Sequence, residues 1–455
     1  NWGLGVLIYN NFYADVTDNV FASVRTGVQT GNYYRANPGT TGSISNNQIG
    51  TWRLGIFHNL AYSNASTFTL SNNTITAENH VGTTKWNGIL LSSISTPVNA
   101  VLSGNTVVIP GSVTYAPPGY TAGYNVWNVN TSAPITISGG SVTGGDYGIF
   151  VNNFEGYNSN AGNTSVDIST VNIQNSAVAG VYVKDSPDNT NGATVYARVT
   201  NSSIDTNGTG VLIEGSDATA AANFNRLVGN STIGINNGNG SFTMNAENNW
   251  WGCNYGPGAT GLGCSGTTNG VSGLVDANPW LRLTTSASAS PIYVGGTSNI
   301  TSLLTTNSDN ATPGGGSVPN STLASFAGTF GTVSPSSTNL AAGSAATVFT
   351  ATAQGVGGVA TTVDSQTVSA PITVYNAACA AISTQNLTSL TGEPITMPVI
   401  TDEMTGRGGT SADFTITYDP NVLTYNSASL GSVTAGNVLV IGPPVVVDPT
   451  HKRIT

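Results

Sequence analysis

The chain has 455 residues, a formal net charge of −10 and 7% charged residues, where an ordinary globular domain has about 25%. No basic patch exists to hold phosphates, which sets nucleic-acid binding aside, and no apolar run of about 18 residues exists to span a membrane. Gly, Ser, Thr and Asn stand where Lys and Glu usually do, yet β-branched residues recur at regular spacing, so the chain reads as folded and all-β.

In chain order the first element is a repeat. Ile44-Ser45-Asn46-Asn47-Gln48-Ile49 is followed by Leu70-Ser71-Asn72-Asn73-Thr74-Ile75, by Leu102-Ser103-Gly104-Asn105-Thr106-Val107 and by Ile137-Ser138-Gly139-Gly140-Ser141-Val142. Looser copies begin at Ile168 and Val199, and a period of this size signals a solenoid, propeller or array. Between copies, Gly is followed by an apolar or aromatic residue, as in Gly5-Val6, Gly27-Val28, Gly55-Ile56, Gly88-Ile89, Gly123-Tyr124, Gly148-Ile149, Gly180-Val181, Gly210-Val211 and Gly234-Ile235. Each repeat thus offers at least two short strands joined by Asn- and Gly-rich turns, since both residues tolerate left-handed backbone. One repeat cannot bury its strands alone, whereas stacked coils place each apolar position over its counterpart. Rungs ~4.8 Å apart would also align Asn47, Asn73 and Asn105 as ladder or turn residues.

These elements resemble the right-handed parallel β-helix repeat proteins over roughly residues 1 to 265. The run Phe224-Asn225-Arg226-Leu227-Val228-Gly229-Asn230, with Asn248-Asn249-Trp250-Trp251-Gly252-Cys253, looks like the closing coil of large secreted bacterial β-helix proteins. Trp250 and Trp251 are read as the apolar core of that terminal coil rather than as a sugar platform. Cys253 and Cys264 enclose a tight Gly/Pro loop that suits a local disulfide, contributing about 3 kcal/mol in the chain-entropy view. Such a bond belongs to an exported protein, and Cys379 is left over.

From Asn278-Pro279-Trp280-Leu281 onward, short alternating strands such as Ala346 to Ala351 indicate a β-sandwich. Gly328 to Pro335 and Ile372-Thr373-Val374-Tyr375 look like a bacterial immunoglobulin-like domain, a type that serves as a spacer on surface fibres and adhesins. The last segment, with Thr405-Gly406-Arg407 and Phe414 to Tyr425, looks like the early strands of a cohesin-like domain. The reading is an all-β chain: a right-handed parallel β-helix (solenoid) at 1–277, then two β-sandwich domains at 278–376 and 377–455, the last incomplete. Both ends look like cuts through a longer polypeptide.

Chemistry-bearing residues are sparse. β-Helices also scaffold pectin-degrading lyases and hydrolases, but glycoside hydrolysis needs two facing carboxylates. The acids Asp15, Asp18, Glu78, Asp146, Glu155, Asp167, Asp185, Asp188, Asp205, Glu214, Asp217 and Glu247 show no coil-to-coil carboxylate register and read as solvated charge. His58 and His80 read as exposed loop histidines, with no Cys or carboxylate cluster to complete a metal site. No catalytic or metal residue is therefore assigned, and no cofactor is expected. A Ca2+ ion is conceivable only at Asp402-Glu403, which as a surface loop needs none. Among the Asn-x-Ser/Thr sequons, Asn163 and Asn207 are the better glycosylation candidates.

The expectation is a non-enzymatic structural module of an exported cell-surface or extracellular protein: a fibre, sheath, surface layer or adhesin stalk. It would associate with copies of itself or neighbouring subunits through β-rich ends or faces. The alternatives are a carbohydrate-binding adhesin that presents loops such as Tyr115 to Tyr124 to glycans, and a β-helix polysaccharide lyase or hydrolase.

Overall fold

The computed structural model describes residues 3–9, 13–31, 42–59, 67–79, 85–92, 99–111, 119–127, 129, 131, 133–153, 162–186, 192–261, 264–265, 269–376, 382–384, 387–388, 390–401, 416–424, 426–427, 445–448 and 451–454. Its named elements are all strands. They fall into two compact units, Asn1–Tyr375 and Asn376–Thr455.

The first unit opens with a parallel β-helix whose coils stack their strands into three columns. The first column is a 10-stranded sheet running from Ala14–Thr17 to Val275–Asp276. The second runs from Thr74–Ala77 to Arg226–Val228, and the third from Lys85–Ser92 to Val271–Gly273. The long strands Val20–Gly31 and Gln48–Asn59 pass through both of these columns without a break, joining them into one 16-stranded sheet.

The repeat motif maps onto the corner between the first and second columns. Its leading apolar residue stacks in register as Ile44, Leu70, Leu102, Ile137, Ile168, Val199 and Ala222. Its trailing one stacks as Ile49, Ile75, Val107, Val142, Ile173, Ile204 and Leu227. Both stacks are buried and form most of the coil interior. The third stack is the residue after each glycine, from Val28 and Ile56 through Tyr124 to Ile235.

The glycines themselves stand at the narrowest corner of the coil. A Cβ at Gly55 would lie 2.4 Å from Ile75 Cγ2, and one at Gly148 would lie 2.4 Å from Ile173 Cγ2. The branched chain that fills the second column thus leaves no room for a side chain at the start of the third. The sequence pairing of Gly with an apolar residue records that exclusion.

A β-sandwich follows within the same unit. One sheet orders Leu281–Ala287, Thr297–Asn307, Ser344–Ala351 and Gly331–Ser334, all antiparallel. The other orders Ile292–Tyr293, Gln366–Tyr375, Gly355–Val363, Leu323–Gly328 and Ser337–Asn339. Alternation along Ser344–Ala351 sends Phe349 inward to meet Ile300, Leu304, Phe326, Val359 and Ile372. In the second unit, Ile382–Thr384 pairs with Val399–Thr401, and His451–Ile454 lies between Ile416–Tyr418 and Val445–Asp448, again antiparallel. Cys379, His80, Asp402, Glu403, Thr405 to Arg407 and Tyr115 lie outside the described residues.

Candidate functional site

The polar residues of the repeat divide their work. Asn46, Asn72, Asn201 and Asn248 sit at positive φ, between 52° and 57°, where Asn is among the few residues tolerated. The next residue turns inward and builds a ladder. Asn47 donates its Nδ2 to Asn73 Oδ1 at 2.9 Å, and Asn73 donates its own to Asn105 Oδ1 at 2.9 Å. Each amide also donates to a backbone carbonyl of the preceding coil: Asn47 to Val16, Asn73 to Ile44 and Asn105 to Leu70. The column passes through Gly140, Val171 and Ser202 and resumes as Asn225 and Asn249 (3.1 Å). These last two escaped the sequence reading because Asn223 and Glu247 replace the Ser of the motif, although its apolar spacing persists there.

A second ladder overturns one assignment. Asn207 is fully buried: its backbone N–H donates to Asn230 Oδ1, its Nδ2 to Ile173 O, and its Oδ1 accepts from the Ser176 N–H. An amide so enclosed cannot carry a glycan. Asn163 is exposed; its side-chain Oδ1 accepts from the Thr194 N–H, and its backbone carbonyl accepts from Thr131.

Other expectations also change. His58 is not on an exposed loop. It lies on Gln48–Asn59 at 1% exposure, in register with Thr30 and Leu91, and shares a hydrogen bond with Thr30 Oγ1. Burial holds its pKa down at about 3. Tyr124, inside the segment considered for glycan contact, points into the coil interior at 1% exposure. Tyr120 instead joins an outer-face cluster with Tyr147 at 5.8 Å and Phe150 at 5.7 Å. Nor are all the acids solvated: Asp185 is buried and accepts from Asn153 Nδ2, while Asp167 pairs with Arg198 of the next coil.

The closing coil carries a polar site at its contact with the sandwich. Cys253 and Cys264 form a disulfide. The adjacent indoles face opposite ways, as neighbouring side chains on extended backbone do. Trp251 enters the coil interior, whereas Trp250 faces away and packs with Phe224, Val228, Leu281 and the sandwich core. Trp250 therefore belongs to the junction, not to the core of the terminal coil. The sandwich answers with the tip of its hairpin between Gly355–Val363 and Gln366–Tyr375. Asp364 adopts φ 52° in that two-residue turn, which aims its carboxylate at the coil. It accepts from Trp250 Nε1 at 2.7 Å and from Arg226 Nε at 3.0 Å. Arg226 also pairs with Asp205 of the coil below, and its Nη1 donates to Ser203 Oγ at 3.0 Å.

Flanking contacts complete the clamp. Gln366 Oε1 accepts from the Asn254 N–H at 2.8 Å, and Asn307 Nδ2 donates to Asn248 Oδ1 at 3.0 Å. Gly316 packs against Phe224 so closely that a Cβ there would lie 2.5 Å from the ring. Arg226 and Asp364 are 138 residues apart, and no local pattern in the sequence announces the pair. Among the described residues no group of three or more His, Cys, Asp or Glu side chains could hold a metal ion.

Residues 380–452 match the cohesin domain family. No curated protein sequence matches the chain. Among solved structures, domains 4 and 5 of the S-layer protein SbsC are 16% identical with a TM-score of 0.16, over 22% of this chain and 55% of that one. The Yersinia pseudotuberculosis adhesin InvE is 20% identical with a TM-score of 0.18, over 38% of this chain and 51% of that one. The chain thus spans about half the length of either.

Proposed function

We propose that this chain is a structural, non-catalytic module of a large exported surface protein, one that holds its neighbouring segments apart and associates with copies of itself or adjoining subunits. The observation that carries the reading is the junction: a stacked coil passes into a sandwich through a partly buried Arg–Asp–Trp network, with both in one compact unit. A first column of ten rungs at ~4.8 Å gives a stiff rod about 43 Å long. The Cys253–Cys264 disulfide supports an oxidising, extracellular setting. The cohesin match at 380–452 supports a multidomain protein whose β-sandwiches mediate protein–protein contact.

The charged side chains point the same way. Asp167 faces Arg198 and Lys184 faces Glu214 across successive rungs, so these carboxylates stack on cations instead of pairing over a substrate cleft. Electron microscopy and light scattering of the purified chain test the proposal. Rods that associate laterally or end to end are the expected result. Strictly monomeric particles, or depolymerisation of uronate polymers in the presence of Ca2+, would overturn it.

A further inference from the structure

An Asn-Gly dipeptide is prone to lose ammonia, because glycine has no side chain to keep its backbone nitrogen from closing on the preceding carboxamide. The chain holds six such dipeptides, beginning at Asn87, Asn191, Asn207, Asn237, Asn239 and Asn269. Asn191 lies outside the described residues, and the other five asparagines are all buried. Closure needs two freedoms: a carboxamide that can turn toward the next nitrogen, and a glycine N–H that can give up its proton. At two sites the fold denies both. Asn207 donates its Nδ2 to Ile173 O at 3.1 Å and accepts at Oδ1 from the Ser176 N–H, while the Gly208 N–H is held by Ser176 O at 2.8 Å. Asn237 donates to Phe242 O and Leu274 O, both at 2.7 Å, and the Gly238 N–H is held by Ile213 O at 2.8 Å. Gly88 and Gly270 are buried along with their asparagines.

Asn239 differs. Its Nδ2 donates to Ser216 O at 2.8 Å and Ala218 O at 2.9 Å, and its Oδ1 accepts from the Ser241 N–H at 2.9 Å. The glycine that follows is exposed, however, and the Gly240 N–H makes no hydrogen bond among the described residues. Only the bonds of the carboxamide itself hold the pair apart. We propose that Asn239–Gly240 is a deamidation site whose reaction irreversibly loosens the closing coils. When the carboxamide swings off its two carbonyls, hydroxide takes the Gly240 N–H proton and the nitrogen attacks Asn239 Cγ. The new N–C bond forms as Cγ–Nδ2 breaks, and Nδ2 takes a proton from water and leaves as ammonia. Water then opens the succinimide at either carbonyl, giving aspartate or isoaspartate. Either product sets a carboxylate, which has no N–H to donate, against the Ser216 and Ala218 carbonyls. The stitch from this coil to the one before it is thereby lost. This chemistry is independent of any role of the chain in assembly.

Peptide mapping by mass spectrometry tests the assignment, on the full chain aged in warm, mildly alkaline buffer with and without urea. In the folded chain the one-dalton gain is expected at Asn239 at least about tenfold faster than at Asn207 or Asn237, whose release needs a larger local opening. In urea the three should react at comparable rates. Gly240→Ala places a methyl group where no atom lies within 4 Å, on backbone that is not left-handed. It should suppress the gain at Asn239 and leave the melting temperature unchanged. Asn239→Asp, which imitates one product, should lower the melting temperature by about 2–4 °C. Equal rates at the three sites in the folded chain would overturn the proposal. So would an Asn239 that stays intact in the folded chain while it reacts in urea. A melting temperature for Asn239→Asp equal to that of the parent would show that the two carbonyls need no amide, and would overturn it as well.

Discussion

Asn73 shows what a single side chain does in this fold. Its Oδ1 accepts from the backbone and side chain of Asn47, while its Nδ2 donates upward to Asn105 and back to the Ile44 carbonyl. Asn73→Leu keeps the volume but orphans these partners, at about 1–3 kcal/mol for each group left unsatisfied. Urea denaturation should therefore register a loss well beyond that of Asn163→Leu, whose site is exposed. His58 gives a pH signature. Its folded pKa is depressed to about 3, so between its ordinary value near 6.5 and 3 the unfolded chain takes up a proton that the folded coil refuses. Stability should fall through that window as pH drops, by up to about 1.4 kcal/mol per unit, and level off below it. His58→Leu should flatten the melting-temperature profile there, since Leu91 fills the equivalent place one coil on.

At the scale of the coil, most of the architecture was legible. The two apolar ends of the motif Leu70 to Ile75 are the two interior stacks, and the Gly-apolar dipeptides mark the third. The reason is physical: a solenoid repeats the same steric problem every turn, so its answer repeats in sequence. Apart from Trp250 at the junction, the assignments that failed concern residues where one coil departs from its neighbours. His58 takes an interior place that Leu91 and Val126 fill elsewhere, and Tyr124 stands where Ile89 and Ile149 do. Asn207 looked like a loop sequon because its ladder is short. The glycines give a direct test. Gly148→Ala forces a methyl against Ile173 and the Gly180 carbonyl, and a loss of roughly 1–3 kcal/mol in chemical denaturation is expected from overpacking.

Across the whole first unit, stability rests on a contact that no local pattern reveals. Removing Asp364 leaves Arg226 with Asp205 alone and strips Trp250 of its acceptor. Asp364→Ala should cost roughly 1–3 kcal/mol, because the Trp250 indole N–H is left without its acceptor and the partly exposed Arg226 keeps only one carboxylate. Calorimetry should then resolve separate transitions for coil and sandwich where the native unit melts as one. The disulfide acts more locally: replacing Cys253 and Cys264 together with Ser should destabilise the closing loop by about 3 kcal/mol, visible as earlier proteolytic cleavage near Tyr255.

The two indoles of the closing coil, back to back, bear on how such a chain can be recombined. Trp251 is a component of the coil and Trp250 a component of the sandwich, yet they are consecutive residues. No crossover between them, or between the coil and the hairpin that carries Asp364, leaves both halves whole. A gene fusion that cuts at Asn278 would expose Trp250 and strand Arg226 opposite a foreign surface. One that cuts after Tyr375 keeps the clamp intact. Coil and first sandwich would therefore be expected to be exchanged together, as one unit, in any recombination that keeps both folded.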